Sequence, residues 1–187
     1  MESGDGRYVI TYNGEVYNHR EVRHELERAG AQLRSSSDTE VILEAYARWG
    51  SGCLQRFRGM FAFAIWDNAL GELFLARDRL GVKPLYIAQS AGTLVFSSEI
   101  RAFLAAGAVE PKLCPDGLRS YLEWGSVAEP ATILRGAKAL APGTFLTFRN
   151  GQASTHTYWH PRTATQSHTF AEATEAVAPV LREAVRL

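Results

Sequence analysis

The run Tyr8-Val9-Ile10-Thr11-Tyr12-Asn13-Gly14-Glu15-Val16-Tyr17-Asn18, followed at 37–40 by Ser-Asp-Thr-Glu, changes its hydrophobic period partway along. Tyr8, Ile10 and Tyr12 alternate with Val9 and Thr11, the two-residue repeat of a strand, whereas Val22, Leu26 and Ala29 recur at helical spacing after Asn18. The spacing predicts a helix with Asn18 as N-cap, Glu21 completing a capping box, and Gly30 in the left-handed position where the helix stops. Residues 13–17 are then the turn between strand and helix. Asn-Gly alone is a hairpin signal, but a hairpin needs a second strand, and the next element here is a helix. Two readings of the pair stay open. In one it is a turn chosen for its backbone angles. In the other, the Asn13 amide and the Gly14 N–H, which no side chain blocks, donate together to one oxygen that develops negative charge.

Ser37 and Glu40 make a second capping-box pattern, and Ile42, Ala45, Tyr46 and Trp49 form an apolar stripe that Gly50 ends. Asp38 in that first turn reads as a carboxylate favoured by the helix dipole.

Further on, Met60, Ala62, Ala64 and Trp66 alternate with Phe61, Phe63 and Ile65, which predicts a strand covered on both faces. Residues 67–71 read as a turn and 73–76 as the returning strand. Hairpins are predicted at 84–96 around Ser90 to Gly92 and at 144–159 around Asn150-Gly151. Helical stripes come next at Ile100, Phe103 and Leu104, and at Leu118, Tyr121 and Leu122 after Pro115. The expected architecture is α+β, with antiparallel sheets and helices outside them. A polar stretch at 160–168 is the one candidate boundary. After it Thr169 and Glu172 cap a last helix, whose apolar face of Ala173, Val177, Val180, Leu181 and Val185 is expected to be exposed, with Pro179 kinking it or delaying its start.

Of 187 residues, 46% are hydrophobic and 21% charged, the balance of a globular chain. Twenty basic and twenty acidic side chains leave no net charge, so no electrostatic footprint for nucleic acid or an anionic membrane is visible. No basic and apolar leader and no membrane-length apolar run occur, and the cytoplasm is the expected location. Arg77-Asp78-Arg79 reads as a turn held by local ion pairs rather than as a phosphate contact. His156 and His160, four apart on a strand, lie too far apart to share a metal ion, and no metal site is expected. No glycine-rich phosphate loop is present, so no cofactor is expected in this chain.

Five segments in order resemble the glutaminase domain of glutamine-dependent asparagine synthetases, which are class II glutamine amidotransferases. They are Tyr-Asn-Gly-Glu-Val-Tyr-Asn at 12–18, Ser-Asp-Thr-Glu at 37–40, Arg-Gly-Met-Phe-Ala-Phe-Ala-Ile-Trp-Asp at 58–67, Ala-Arg-Asp-Arg-Leu-Gly-Val-Lys-Pro-Leu-Tyr at 76–86, and Phe-Ser-Ser-Glu-Ile at 96–100. The resemblance implies a four-layer αββα sandwich of the N-terminal nucleophile hydrolase type, here incomplete. Residues 1–159 would be the glutaminase domain, and 160–187 a linker with the first helix of a synthetase domain.

The chemistry implied by the resemblance starts with an N-terminal cysteine, which attacks the carboxamide of glutamine with its own α-amino group as base. The tetrahedral oxyanion is held at the positions of Asn13 and Gly14, Glu15 helps hold the glutamine, and Asp38 pairs with its α-ammonium group. The family's Met-Cys-Gly-Ile opening and its arginine for the α-carboxylate are not in this sequence. The pyrophosphate-binding Ser-Gly-Gly-x-Asp-Ser of the synthetase domain, where ATP and magnesium would act, is not in it either. The chain is therefore expected to be the middle of a larger enzyme, inactive alone. Cys53 and Cys114 read as reduced, partly buried thiols rather than substitutes for the nucleophile. The parent would hydrolyse glutamine and use the ammonia to amidate aspartate, and a homodimer of it is compatible with the resemblance. The competing readings are a non-catalytic module that binds an amino acid or a partner protein, and an amidotransferase acting on another carboxylate.

Overall fold

In the computed structural model, which describes residues 1–161 and 169–186, the strands arise from which of their faces the sequence makes apolar. β1 (Tyr8–Val16) leads into α1 (His19–Arg28) and α2 (Asp38–Trp49), and a 3-10 turn at Gly50–Gln55 then carries the chain to β2 (Gly59–Asp67) and β3 (Glu72–Arg77). β4 (Tyr86–Ser90), β5 (Thr93–Ser97), α3 (Ile100–Ala105), α4 (Pro115–Trp124), β6 (Ala137–Ala139), β7 (Thr144–Arg149), β8 (Gln152–Thr157) and α5 (Phe170–Arg186) complete the order. One sheet runs β1-β2-β3-β7-β8 and a second β5-β4-β6, with every pairing antiparallel.

The expected two-faced strand is β2, and its alternating sets enter different cores. Phe61, Phe63 and Ile65 pack with Val22, Leu26, Ile42, Ala45 and Phe74, beneath α1 and α2. Ala62 and Ala64 turn the other way and meet Leu75, Leu85, Ile87 and Leu146 between the two sheets. A third core joins the second sheet to α3 through Ala88, Phe103 and Ala137. The layers are helix, sheet, sheet, helix, the sandwich that the resemblance implied. Small residues at 62 and 64 let the sheets approach, while phenylalanines fill the wider space under the helices.

At the β7–β8 hairpin Asn150 and Gly151 both take positive φ, 51° and 77°, as a two-residue loop of this twist requires. The other turns lie in the expected places, with β2 and β3 joined at 67–71 and β4 and β5 at 90–93.

The start of α1 differs from the sequence reading. Asn18 precedes the helix but makes no capping bond. Its side chain instead donates to Arg56 O at 2.9 Å and accepts from Arg58 N–H at 2.8 Å, tying the helix entry to the approach of β2. In α2, Ser37 does accept from Thr39 N–H. Glu40, however, reaches Arg34 N–H, Ser35 N–H and the Ser35 hydroxyl rather than Ser37, so it closes the preceding loop.

The stripe on α4 is less covered than its pattern implies: Tyr121, Leu122 and Trp124 are exposed. α5 buries none of its described residues, as expected of its apolar face, and forms its capping box through Thr169 and Glu172. It runs through Pro179 without a delayed start. Most of the expected boundary, at 162–168, lies outside the described residues. Among the described residues no helix is long and apolar enough to cross a membrane.

Candidate functional site

The turn expected over 13–17 is not there. Residues 13–16 continue β1, pairing Asn13 with Ala62, Gly14 with Phe61, Glu15 with Met60 and Val16 with Gly59, and the chain turns only at Tyr17 and Asn18. The alternation therefore persists through the polar segment. Ile10, Tyr12, Gly14 and Val16 face the helix-side core, while Thr11, Asn13 and Glu15 are exposed on the other face.

The ladder fixes where each N–H points. Asn68 N–H donates to Arg7 O and Tyr17 N–H to Arg58 O in continuation of the β1–β2 register, so the odd-numbered residues of β1 exchange the ladder bonds. Even-numbered residues aim their N–H groups at the free edge, since β1 is the last strand of its sheet. Along that edge Tyr8 N–H meets Ser3 Oγ, Ile10 N–H meets Met1 O, and Val16 N–H meets Asp38 Oδ2 at 3.1 Å. Tyr12 N–H and Gly14 N–H, one on each side of Asn13, have no acceptor among the described residues. A gap with outward-pointing donors is thus built into the strand edge.

Glycine at 14 has a different cause from the one its sequence suggests. A Cβ there would lie 2.2 Å from Met60 O and 2.7 Å from Phe61 Cα, and φ is +148°. The backbone of β2 fills the space a side chain would need, so glycine permits the close strand crossing, and the accessibility of its N–H comes from the free edge.

The Asn13 amide lies on the sheet face that looks toward the second sheet. Its Nδ2 donates to Ser98 Oγ at 3.3 Å, and both residues line a cavity of about 340 Å³ together with Thr11, Leu85, Phe96 and Ser97. Sequence reasoning does not single out Ser98, since 85 residues separate it from its partner.

Asp38 is the first residue of α2, as expected of a first-turn carboxylate. Its Oδ2 accepts from the Tyr12 hydroxyl at 2.7 Å and from Val16 N–H, which brings it to the same edge of β1 as Gly14. Tyr12 is a second residue that the sequence pattern misses: its place in the alternation marks it as core. Burial, reinforced by the bond to Asp38, pushes its phenol well above the ordinary range, so it stays a donor. Glu15 is exposed on the face it shares with Asn13, next to this edge. The structure thus brings Asp38 to the β1 edge that carries the Gly14 N–H, and sets the Asn13 amide and Glu15 on the face turned toward the second sheet.

Cys53 is fully buried in the helix-side core, where burial pushes its thiol up to about 12. Cys114 precedes α4 as its N-cap residue without a side-chain capping bond, and neither cysteine is bridged. Asp78 accepts from the N–H groups of Phe61, Leu80, Val82 and Lys83, the turn role expected for its cluster. Arg77 is not paired locally as expected. It grips Glu129 with both terminal nitrogens at 2.6 and 2.9 Å, and donates to the carbonyls of Gly81, Lys83 and Leu140. His156 stacks on Phe145 and bonds Ser154. Among the described residues no group of three or more His, Cys, Asp or Glu side chains is placed to hold a metal ion.

Comparison with known proteins places a family on this geometry. The model of the glutamine amidotransferase domain matches residues 1–159. Asparagine synthetase (glutamine-hydrolyzing) 3 of Bacillus subtilis (strain 168) is 36% identical over 179 residues, covering 95% of this chain and 29% of that protein. Asparagine synthetase (glutamine-hydrolyzing) 1 of the same organism is 36% identical over 156 residues, 83% of this chain and 24% of that protein. The chain therefore spans less than a third of the length of these relatives. Among solved structures, a glutamine phosphoribosylpyrophosphate amidotransferase of B. subtilis superposes with a TM-score of 0.62 over 86% of this chain and 31% of that one, at 23% identity. That likeness carries the fold.

Proposed function

The chain belongs to the glutamine amidotransferase domain family, and from that premise we propose that the open edge of β1 is a glutamine site in which the side-chain amide is hydrolysed to release ammonia. The observation that carries the reading is the edge itself. Gly14 N–H has no acceptor among the described residues, while two residues along, the Val16 N–H is closed by the Asp38 carboxylate. A ligand with a carbonyl at one end and an ammonium at the other is complementary to that pair.

In this reading Asn13 and Gly14 donate to the carbonyl oxygen as it becomes an oxyanion, Asp38 receives the α-ammonium group, and Glu15 helps retain the amino acid. For Asn13 this means exchanging the Ser98 hydroxyl for the ligand. A thiolate attacks the amide carbon, a C–S bond forms, the C–N bond breaks as nitrogen takes a proton, and water then cleaves the thioester. Neither cysteine of the sequence suits that step: Cys53 is enclosed in the core and Cys114 lies at the start of α4. The reading therefore assigns binding and oxyanion stabilisation to this chain, with the nucleophile supplied by another part of the parent enzyme.

The ammonia would serve ATP- and magnesium-dependent amidation of aspartate in a synthetase domain. The family match ending at residue 159 supports a boundary there, with 160–187 leading toward that domain. The two unbridged cysteines agree with a reducing, cytoplasmic setting.

Titrating the ¹⁵N-labelled chain with L-glutamine tests the site. The Gly14 amide and the Asn13 side-chain amide should shift in a saturable way, and glycine, which has no distal carboxamide, should leave them in place. Saturating shifts elsewhere with these two signals unmoved would remove the site from β1.

A further inference from the structure

Asp38 is held from one side only. Both of its hydrogen bonds, from the Tyr12 hydroxyl at 2.7 Å and from Val16 N–H at 3.1 Å, fall on Oδ2, and Oδ1 accepts none among the described residues. A short carboxylate at a helix start has few rotamers, and two donors fixed on one oxygen leave the other pointing in a set direction. Both donors belong to β1, the strand that carries Asn13 and Gly14. Tyr12 packs its ring against the helix-side core, and Val16 is fully buried. The carboxylate is thereby registered to the oxyanion donors through a single rigid strand rather than through α2 alone.

We propose that Tyr12 is the positioning residue of this site: with Val16 N–H it occupies Oδ2 of Asp38 and presents Oδ1 to the α-ammonium group of the bound amino acid. The inference rests on the glutamine reading and adds to it the residue that fixes the distance between the two ends of the ligand. Tyr12 does not touch the reacting atoms. Its effect is on recognition of the ammonium group, so it separates ligands that carry one from ligands that do not.

The test compares binding of L-glutamine with that of glutaramate, which is glutamine without its α-amino group, to the chain and to Tyr12→Phe and Asp38→Asn variants by NMR titration into the millimolar range. Tyr12→Phe keeps the ring and its packing and removes only the donor. It should weaken L-glutamine roughly three- to tenfold, the effect of one hydrogen bond to a charged group shared with a second donor, and leave glutaramate unchanged. Asp38→Asn should abolish the preference for L-glutamine. Equal weakening of both ligands in Tyr12→Phe would mean a structural role and overturn the proposal. So would a Tyr12→Phe that binds like wild type while Asp38→Asn loses the preference, an outcome that spares the glutamine reading. A preference untouched by Asp38→Asn, or wild-type protein binding neither ligand, would overturn the glutamine reading and this inference with it.

Discussion

Replacing Gly14 with alanine should damage the fold before it damages the site. The new Cβ would lie 2.2 Å from Met60 O and 2.7 Å from Phe61 Cα, distances that only a shift of one backbone past the other can relieve. The shift falls between the ladder pairs Asn13↔Ala62 and Glu15↔Met60. If about two of their hydrogen bonds are lost at about 1 kcal/mol each, and strained positive φ adds about 1–2 kcal/mol, the cost is about 3–4 kcal/mol. That is a large share of the roughly 5–15 kcal/mol that holds a typical domain together. Gly59→Ala probes the same crossing from the other strand, since its Cβ would lie 2.1 Å from Glu15 O, and without positive φ it should cost about 2 kcal/mol, the hydrogen-bond part alone. Gly71→Ala is the control: φ is +62° but nothing lies within 4 Å of a Cβ, so only backbone strain of about 1 kcal/mol applies. Urea unfolding monitored by tryptophan fluorescence measures all three. A Gly14→Ala cost within about 1 kcal/mol of the Gly71→Ala cost would refute the tight crossing and the explanation of glycine at 14.

The titrating groups lead to two further outcomes. The Arg7 guanidinium, with the N–H groups of Leu70 and Ala69, holds the Asp67 carboxyl below its ordinary value, so its contribution is complete above the unfolded value near about 4 and is lost as pH falls through the folded one. Asp67→Asn should therefore lose less stability than wild type between mildly acidic pH and about pH 3 in urea titrations, and equal losses would exclude the effect. Cys53, with its thiol pushed up to about 12 by burial, should ignore a thiol reagent at mildly alkaline pH until the chain is unfolded, while the half-buried Cys114 reacts in the native state. Two rapidly reacting thiols in native protein would contradict the core placement.

The sequence patterns that match the structure are those in which both halves of the signal are local. The double apolar alternation of 60–66 places β2 between two cores, and Asn150-Gly151 marks a hairpin, because burial on two faces and positive φ at two adjacent positions each leave a compositional trace. The pattern ends β1 too early for a physical reason. Asn13 and Glu15 are polar because their face is exposed, and the continuing signal is Val16, fully buried and in phase with Ile10 and Tyr12. The capping boxes fail where another partner outcompetes the expected one: Asn18 is claimed by the distant Arg56 and Arg58, and Glu40 by Arg34 and Ser35 in the adjoining loop. The contacts of Tyr12 with Asp38 and of Asn13 with Ser98 join residues 26 and 85 apart and have no local signature.

These long-range contacts bear on why the exposed sheet edge proposed as the site is not simply a hazard. An unpaired strand invites another strand, because its N–H and C=O groups point outward in a row. On β1 that row is interrupted chemically. Met1 and Ser3 occupy its beginning, the Asp38 carboxylate closes its end at Val16, and the backbone N–H and C=O groups of Tyr12 and Gly14 have no partner among the described residues between them. A continuous strand would have to bring its own carbonyls against the Asp38 carboxylate, a repulsion that favours a cation at that end. The middle favours an acceptor, and the Asn13 amide beside it adds a second donor type. The proposed ligand, one short polar molecule with an ammonium group and a distal carbonyl, would satisfy both demands, whereas a strand satisfies only the second.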